Sequence, residues 1–483
     1  MVYERVLALF RQISQIPRGS GNTRGIADFI RRFAEQNFCS AEQDEAGNVF
    51  VVKEAAAGYE QLETLVFQAH MDMVCVADRD AEHNFTRDPI QVEELDGWLY
   101  APGTTLGADD GLGVAIMLGL IEDKKSAGRL EFIFTADEET NMTGAKAFDC
   151  RKLTGRKIIN LDNEKEGSLI VSSAGIADLR MQIPYDRLKS REAHVPKVLY
   201  ELRIDGFLGG HSGMDIHLPR LNAVQVVMGI VMKLRAYAGF RLYSVTAGSH
   251  MNAIPKSAAC LFSVEDTEDF ENWLEALQES LRRTEPKAVL HLTPVANSLP
   301  LNPYTQEGIG ILDSVVTRVR HGVLAWDQGV PDLVETSMNL ARLVEAEDCF
   351  EIWCCFRSSA ESQLQQGQRQ LELLAEEVGA SVMTAFYESG WQRNLQSTLV
   401  PYVVRCYRET LGEEPRVEGI HAGLECGCWS RGLPEADIVS LGPTLVHPHT
   451  TGERAELSSL EKYVRLTDAL VRNAEALSGS TGG

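Results

Sequence analysis

Acid and imidazole side chains recur where strand-like segments of this chain end, and they are its best candidates for chemistry. In QAHMDMV, His70 and Asp72 stand two apart at the close of an apolar run, so both point to one face of a strand. A neighbouring carboxylate commonly fixes the ring of a metal-binding histidine, and His-x-Asp supplies one. In TTLGADDG (104–111), Asp109 and Asp110 follow a glycine turn and precede an apolar helix. Both suit a helix N-terminus, and one of them could instead leave the cap and bind a cation. FTADEET crowds Asp137, Glu138 and Glu139 at the end of another apolar strand. A solvated turn would account for them; a dication would remove their mutual repulsion and give adjacent acids different tasks. Asp162 closes KIINLD, where an Asp is ordinarily a turn residue. Near the end, GPTLVHPHTTGE sets His447 and His449 two apart.

Each of these has a bland explanation when taken alone. Together they supply His, Asp, Glu, Asp and His, one donor from each of five strand ends. Such a nitrogen and oxygen set suits two borderline divalent ions, zinc first, with manganese or cobalt as substitutes.

The elements that must position these donors follow from periodicity. LETLVFQAH (62–70), RLEFIFTA (129–136), KIINLD (157–162) and SLIVSS (168–173) read as strands, with helix candidates between them. GLGVAIMLGLI (111–121) reads as a buried helix. Strands alternating with helices predict an α/β fold with a mostly parallel mixed sheet flanked by helices, whose ligands lie beyond the carboxyl ends of the strands. Around 175–197 the pattern loosens, with IPYDRLKSREAHVPK broken by Pro184 and Pro196. A second unit follows, in which Val198, Tyr200, Leu202 and Ile204 alternate on one strand face and a glycine-rich turn, FLGGHSGMDIH, precedes a helix in LNAVQVVMGIVMKLRAYA. RLYSVTAG, CLFSVED and CFEIWCCFRSS read as strands, with helices at about 267–283 and 361–378. The expected division is a discontinuous first domain, 1–182 and 386–483, with an inserted α+β domain at 183–385. The last hundred residues return to the first style, with helices near 396–411 and 455–477, a strand DIVSLGP (437–443) and a loose GSTGG tail.

Composition narrows the partners. The 483 residues carry 69 Asp and Glu against 46 Lys and Arg, a formal net charge of −23. That excess repels phosphate backbones and anionic lipid, so nucleic acid and membrane surfaces are not expected partners. No apolar run approaches the roughly 18 residues of a membrane span, and MVYERVLALFRQI lacks the basic start and unbroken apolar run of a signal peptide. Ten cysteines without framework spacing suit a reducing, cytoplasmic setting. Cys426 and Cys428 read as free thiols rather than a zinc site.

His70, Asp109, Glu139, Asp162 and His449 are separated by 39, 30, 23 and 287 residues. This order, with HMD, GADDG, DEE, NLD and a late His, resembles the dinuclear zinc peptidases of the aminoacylase and glutamate-carboxypeptidase clan. Within the clan it is most similar to the aminoacyl-histidine (Xaa-His) dipeptidases. IPRGSGN (16–22), AGNVFVVK (46–53), GTTLGADDG (103–111), GGHSGMDIH (209–217), NAIP (252–255) and HAGLECG (421–427) carry the likeness over nearly the whole chain. The late motif departs from the clan's wording, with HTTGE where HSPDE is common, and His449 fits the register from GPT better than His447.

The resemblance implies two Zn2+ per chain. Asp109 would bridge them, His70 and Asp162 completing one ligand set and Glu139 and His449 the other. Asp72 would orient His70, and Glu138 would act as general base for a zinc-activated water. His211 in GGHSG would donate to the oxyanion from the inserted domain, which in this family is a lid that carries the dimer contact, so a homodimer is implied. Arg357, closing EIWCCFR, and Asn252 in NAIP are candidates for the substrate's carboxylate or carbonyl, because arginine's planar fork matches a carboxylate. Glu425 in HAGLECG is a candidate for its amine or a histidine side chain. The implied reaction is hydrolysis of unblocked dipeptides, including β-alanyl-histidine. A tripeptidase, a carboxypeptidase, an amino-acid deacylase and a non-catalytic peptide or metal receptor are the competing readings; the intact Glu138 argues against the receptor.

Overall fold

Side-chain alternation builds the first sheet. In the strand Leu65–His70, Leu65, Phe67 and Ala69 enter one core while Val66 enters another. Leu130–Thr135 divides in the same way, with Phe132 and Phe134 on one side and Ile133 on the other. A strand buried on both faces must be covered by helices on both. Tyr3–Ile13, Ala108–Glu122, Leu399–Leu411 and Leu457–Arg472 pack on the first face, and Thr143–Ala147 and Cys426–Gly432 on the second. A computed structural model describes residues 1–188, 198–265, 268–295 and 302–478.

The described residues fall into two compact units, one within Met1–Ser173, Trp391–Ile420 and Leu424–Gly483, the other within Ala174–Gly390 and His421–Gly423. In the first, eight strands run in the order Ser40–Gln43, Val49–Lys53, Leu130–Thr135, Leu65–His70, Lys157–Asn160, Asp437–Ser440, Ser168–Ser173, Arg416–Ile420. The pairings from Leu130–Thr135 through to Asp437–Ser440 are parallel, as is the last pair, and the remaining three are antiparallel. The sheet is thus mixed with a parallel centre, as the alternating pattern predicts. Register then decides what the centre can do. His70 pairs with Thr135 and Gln68 with Asn160, so three parallel strands end together at one edge of the sheet.

The helix Ala108–Glu122 is buried from Ala108 to Ile121, which explains why GLGVAIMLGLI is apolar on every side. A cis peptide joins Asp109 and Asp110, and the backbone angles of both residues are non-helical, a kink near the start of the helix.

The second unit is an antiparallel sheet covered by the helices Ala223–Leu234, Gln306–Arg318 and Glu361–Val378. It differs from the sequence expectation at its start. Where a loosening is expected from 175, a ten-residue strand runs Gly175–Pro184, with Ala177, Leu179, Met181 and Ile183 buried and the residues between them half-buried. Pro184 is its last residue, where the missing N–H costs least. Val198 lies outside the strand Leu199–Asp205 and is exposed, so Leu202 and Ile204 carry that buried face. Pro196 and the GSTGG tail lie outside the described residues. No described helix is long and apolar enough to cross a membrane.

Candidate active site

Six of the sequence candidates meet at the strand ends of the first unit. His70 closes its strand, Glu138 and Glu139 open the short helix Glu138–Asn141 just beyond Thr135, and Asp162 lies two residues beyond Asn160. Asp109 comes from the start of the buried helix and His449 from the late loop.

Asp109 is the centre of the group. Its Oδ1 lies 3.0 Å from His70 Nε2, and its Oδ2 lies 3.1 Å from His449 Nε2. Each imidazole has a second acid: Asp162 Oδ1 is 3.6 Å from His70 Nε2, and Glu139 Oε2 is 3.1 Å from His449 Nε2. His70, Asp109 and Asp162 form one set, and Asp109, Glu139 and His449 another, with donor atoms within 4.8 Å of one another. Glu138 joins a third set with His70 and Glu139. His447 belongs to none of these sets, whereas His449 belongs to one.

The pair Asp109 and Asp110 divides as the sequence allows. Asp110 Oδ1 accepts from Gly113 N at 3.1 Å, a helix cap, while Asp109 turns to the two histidines. Asp72 holds the cluster from behind. Its Oδ1 lies 3.5 Å from His70 Nδ1 and accepts from Glu138 N at 3.0 Å; its Oδ2 accepts from Ser20 Oγ at 2.7 Å and Glu139 N at 3.2 Å. One carboxylate therefore accepts from the backbone that carries both acids and lies beside the His70 ring, whose Nδ1 has no hydrogen-bond partner.

The electrostatics are those of a site crowded with negative charge. Burial, reinforced by Asp109 and Glu425 against the opposing pull of His70, pushes the Asp162 carboxyl up to about 7. Burial raises Glu138 well above the carboxylate range, with Asp162, Glu425 and Glu139 adding to it. Hydrogen bonds to Asp109 and Glu139 raise His449 to about 11. For His70, burial is more than offset by Asp162, Asp109 and Asp72, and its pKa also rises. Glu139 Oε1 is buried with no hydrogen-bond partner. Three carboxylates, two imidazoles and an unsatisfied acid oxygen fit two divalent cations, which would replace the protons these groups otherwise retain. The ten cysteines are free thiols, and Cys426 and Cys428 belong to none of these sets.

Glu425 is fully buried. Its Oε2 accepts from Thr135 Oγ1 at 2.7 Å and from Gln68 Nε2 at 2.5 Å, its Oε1 is buried with no hydrogen-bond partner, and burial raises its pKa to about 7. Sequence reasoning also passed over Glu164, beyond Asp162 in NLDNE. Burial followed by the charges of Asp109 and Asp162 pushes this acid up to about 7.

The second unit gathers the other candidates around Ser212. Arg357, 4% exposed, donates from Nε to Ser212 Oγ at 3.3 Å, and Ser212 N donates to the Asn252 carbonyl at 2.8 Å. His211 Nδ1 accepts from Gly213 N at 3.2 Å and Met214 N at 3.1 Å. Burial and then Arg357 lower its pKa. The ring is thus neutral near pH 7, and its proton sits on Nε2, free to donate. His421, the first residue of HAGLECG, lies in the same unit with Nε2 2.7 Å from Ser337 Oγ, and burial takes it down to about 3. Nothing in the spacing of HAGLECG marks this histidine out, because its partner Ser337 is distant in sequence.

The chain is similar to known proteins. The cytosol non-specific dipeptidase of Escherichia coli (strain K12) is 32% identical over 478 residues, 97% of either chain. The crystal structure of aminoacylhistidine dipeptidase from Vibrio alginolyticus superposes with a TM-score of 0.89 at 30% identity, over 98% of this chain and 96% of that one. A tripeptidase from Staphylococcus aureus subsp. aureus Mu50 shares the fold, with a TM-score of 0.59 at 16% identity over 99% of each chain. The profile of peptidase family M20/M25/M40 matches residues 66–473, a span that holds the whole cluster, and the chain belongs to that family.

Proposed function

We propose that this chain is a dipeptidase that hydrolyses unblocked dipeptides, Xaa-His dipeptides such as β-alanyl-histidine among them, with two divalent cations, Zn2+ first. The observation that carries the reading is Asp109, whose two oxygens each face a different imidazole, each imidazole backed by one further acid. His70 and Asp162 would hold one cation, Glu139 and His449 the other, with Asp109 between them. When bound, the cations lower the proton affinity of a water and polarise the scissile carbonyl.

Glu138 does the proton work. Glu138, beside Glu139 and grouped with His70, can take the proton of the attacking water on a carboxylate oxygen and return it to the leaving amine. Asp72 keeps the His70 ring and the Glu138–Glu139 backbone in place. His211 donates from Nε2 to the oxygen on which negative charge develops. Arg357 and Asn252 read the substrate's carboxylate or carbonyl, and the inserted unit acts as the lid and the dimer contact. Glu425 meets the substrate's amine or a histidine side chain. The cytosol dipeptidase of Escherichia coli supports a cytoplasmic setting and a small peptide substrate.

A substrate panel tests the reading: β-alanyl-histidine, other dipeptides, a tripeptide and N-acetyl amino acids, each with added zinc, manganese or cobalt. Turnover confined to unblocked dipeptides is expected. Preference for the tripeptide or the acetylated substrates would replace the dipeptidase with another activity of the clan, and no turnover at all would favour a receptor.

A further inference from the structure

Two buried charges outside the cluster hold the backbone that carries it. Arg18, in IPRGSGN, is 2% exposed, and Glu453, in HTTGE, is 3% exposed. The Arg18 guanidinium donates from Nη1 to the carbonyls of Met71 (3.0 Å) and Asp72 (2.9 Å), and from Nη2 to the carbonyl of Gly107. Glu453 takes the amides of the same turn. Its Oε2 accepts from Leu106 N at 2.7 Å and Gly107 N at 3.0 Å, and its Oε1 from Ala108 N at 2.8 Å and Asp109 N at 3.4 Å. The Gly107 residue is gripped through its carbonyl by one charge and through its amide by the other.

The glycines of GADDG are shaped around this grip. A Cβ at Gly107 would lie 2.6 Å from Arg18 Nη2 and 2.7 Å from Met73 Sδ, and Gly107 has a φ of +67°. A Cβ at Gly111 would meet Arg18 Nη2 again and approach the Phe10 ring to 3.0 Å. Glu453 is tied in turn to the His449 loop, because its amide donates to the Thr450 carbonyl at 3.1 Å and His449 adopts a φ of +60°. Three donor segments, 70–72, 106–109 and 449–453, therefore share two buried side chains.

We infer that Arg18 and Glu453 are positioning residues that hold the His70, Asp109 and His449 segments in one register, and thereby set how tightly the cluster binds its cations and how fast it turns over. Buried charges of this kind would otherwise cost stability; here their hydrogen bonds all go to backbone that presents donors to the cations. In Glu453→Gln one carboxylate oxygen becomes an NH2 group, which sets a donor against two of the four amides. The inference rests on the cation-binding reading, and the experiment separates the two.

Metal-depleted wild type and Glu453→Gln, both full chains, are titrated with Co2+, following visible absorbance and competition with a chelator; kcat and KM for one dipeptide are then measured at saturating cation. The variant is expected to bind Co2+ about 10–100-fold more weakly, the usual cost of losing an outer-shell partner. Its absorption envelope should change, and kcat should fall with KM little moved. A variant that differs only in melting temperature, with affinity, spectrum and kcat of wild type, overturns the inference. Should Glu453→Gln fail to fold, Arg18→Lys, which keeps the charge and loses the planar fork, is read by the same criteria. If wild type itself takes up no Co2+, the cation-binding reading fails instead.

Discussion

Replacing Asp72 by asparagine keeps its shape and removes its charge, and the structure sets the scale of the loss. The carboxylate faces four groups, His70 Nδ1 and Glu138 N on Oδ1, Ser20 Oγ and Glu139 N on Oδ2. Whichever oxygen becomes NH2, two of them meet a donor. The two hydrogen bonds on Oδ2 are worth about 3–6 kcal/mol together and the single one on Oδ1, from Glu138 N, about 1.5–3 kcal/mol, because His70 Nδ1 makes no hydrogen bond. Ser20 can turn its hydroxyl, and the backbone at 138–139 can shift, which recovers part of that. What remains divides between stability and the aim of the His70 ring. An orienting carboxylate is typically worth about 10–100-fold in metal affinity or activity, about 1.4–2.7 kcal/mol. Asp72→Asn should therefore lower kcat/KM for a dipeptide about 10–100-fold at saturating cation and also lower the melting temperature. The assay is steady-state hydrolysis with a parallel thermal melt. A variant with kcat/KM within twofold of wild type would refute the claim that Asp72 orients the cluster.

Two further outcomes follow from the second unit. His211→Ala removes an Nε2–H donor whose tautomer is set by Gly213 and Met214, so turnover should fall while cation stoichiometry stays unchanged; an unchanged rate would remove it from catalysis. Burial takes His321 down to about 4 and His421 to about 3, which means the folded unit prefers their neutral forms. Such groups contribute stability above the unfolded pKa of about 6.5 that is lost as pH falls through the depressed values. Denaturant melts should show stability declining from pH 6.5 towards 4, with His321→Gln flattening the slope; a slope unaltered in that variant would contradict the assignment.

Much of the site was legible because its residues sit where the sheet ends. His70, the acids at 137–139 and Asp162 each follow an apolar run, and parallel register brings those ends to one edge. The types and spacing of Asp109 and Asp110 read as one cap and one ligand without saying which, since adjacent side chains diverge and only the backbone decides; the family resemblance is what implies Asp109. Glu453 and Arg18 left no periodic signal. Their partners are main-chain groups distant in sequence, and a Glu in HTTGE looks like a surface acid until the fold buries it. The strand Gly175–Pro184 was overlooked for another reason: Ala177, Leu179, Met181 and Ile183 do alternate, but Asp178 and Arg180 between them and Pro184 at the end lower its apparent apolar character.

The central claim is that Asp109, with two imidazoles and two further acids, holds two cations while Glu138 moves the proton. The most direct measurement is cation content and dipeptide turnover on the same samples of wild type, chelated wild type and Glu138→Ala. The account predicts about two cations per chain in wild type, turnover abolished by chelation, and a Glu138→Ala variant that keeps both cations and loses turnover. A variant that stays active, or that loses both cations, would contradict it.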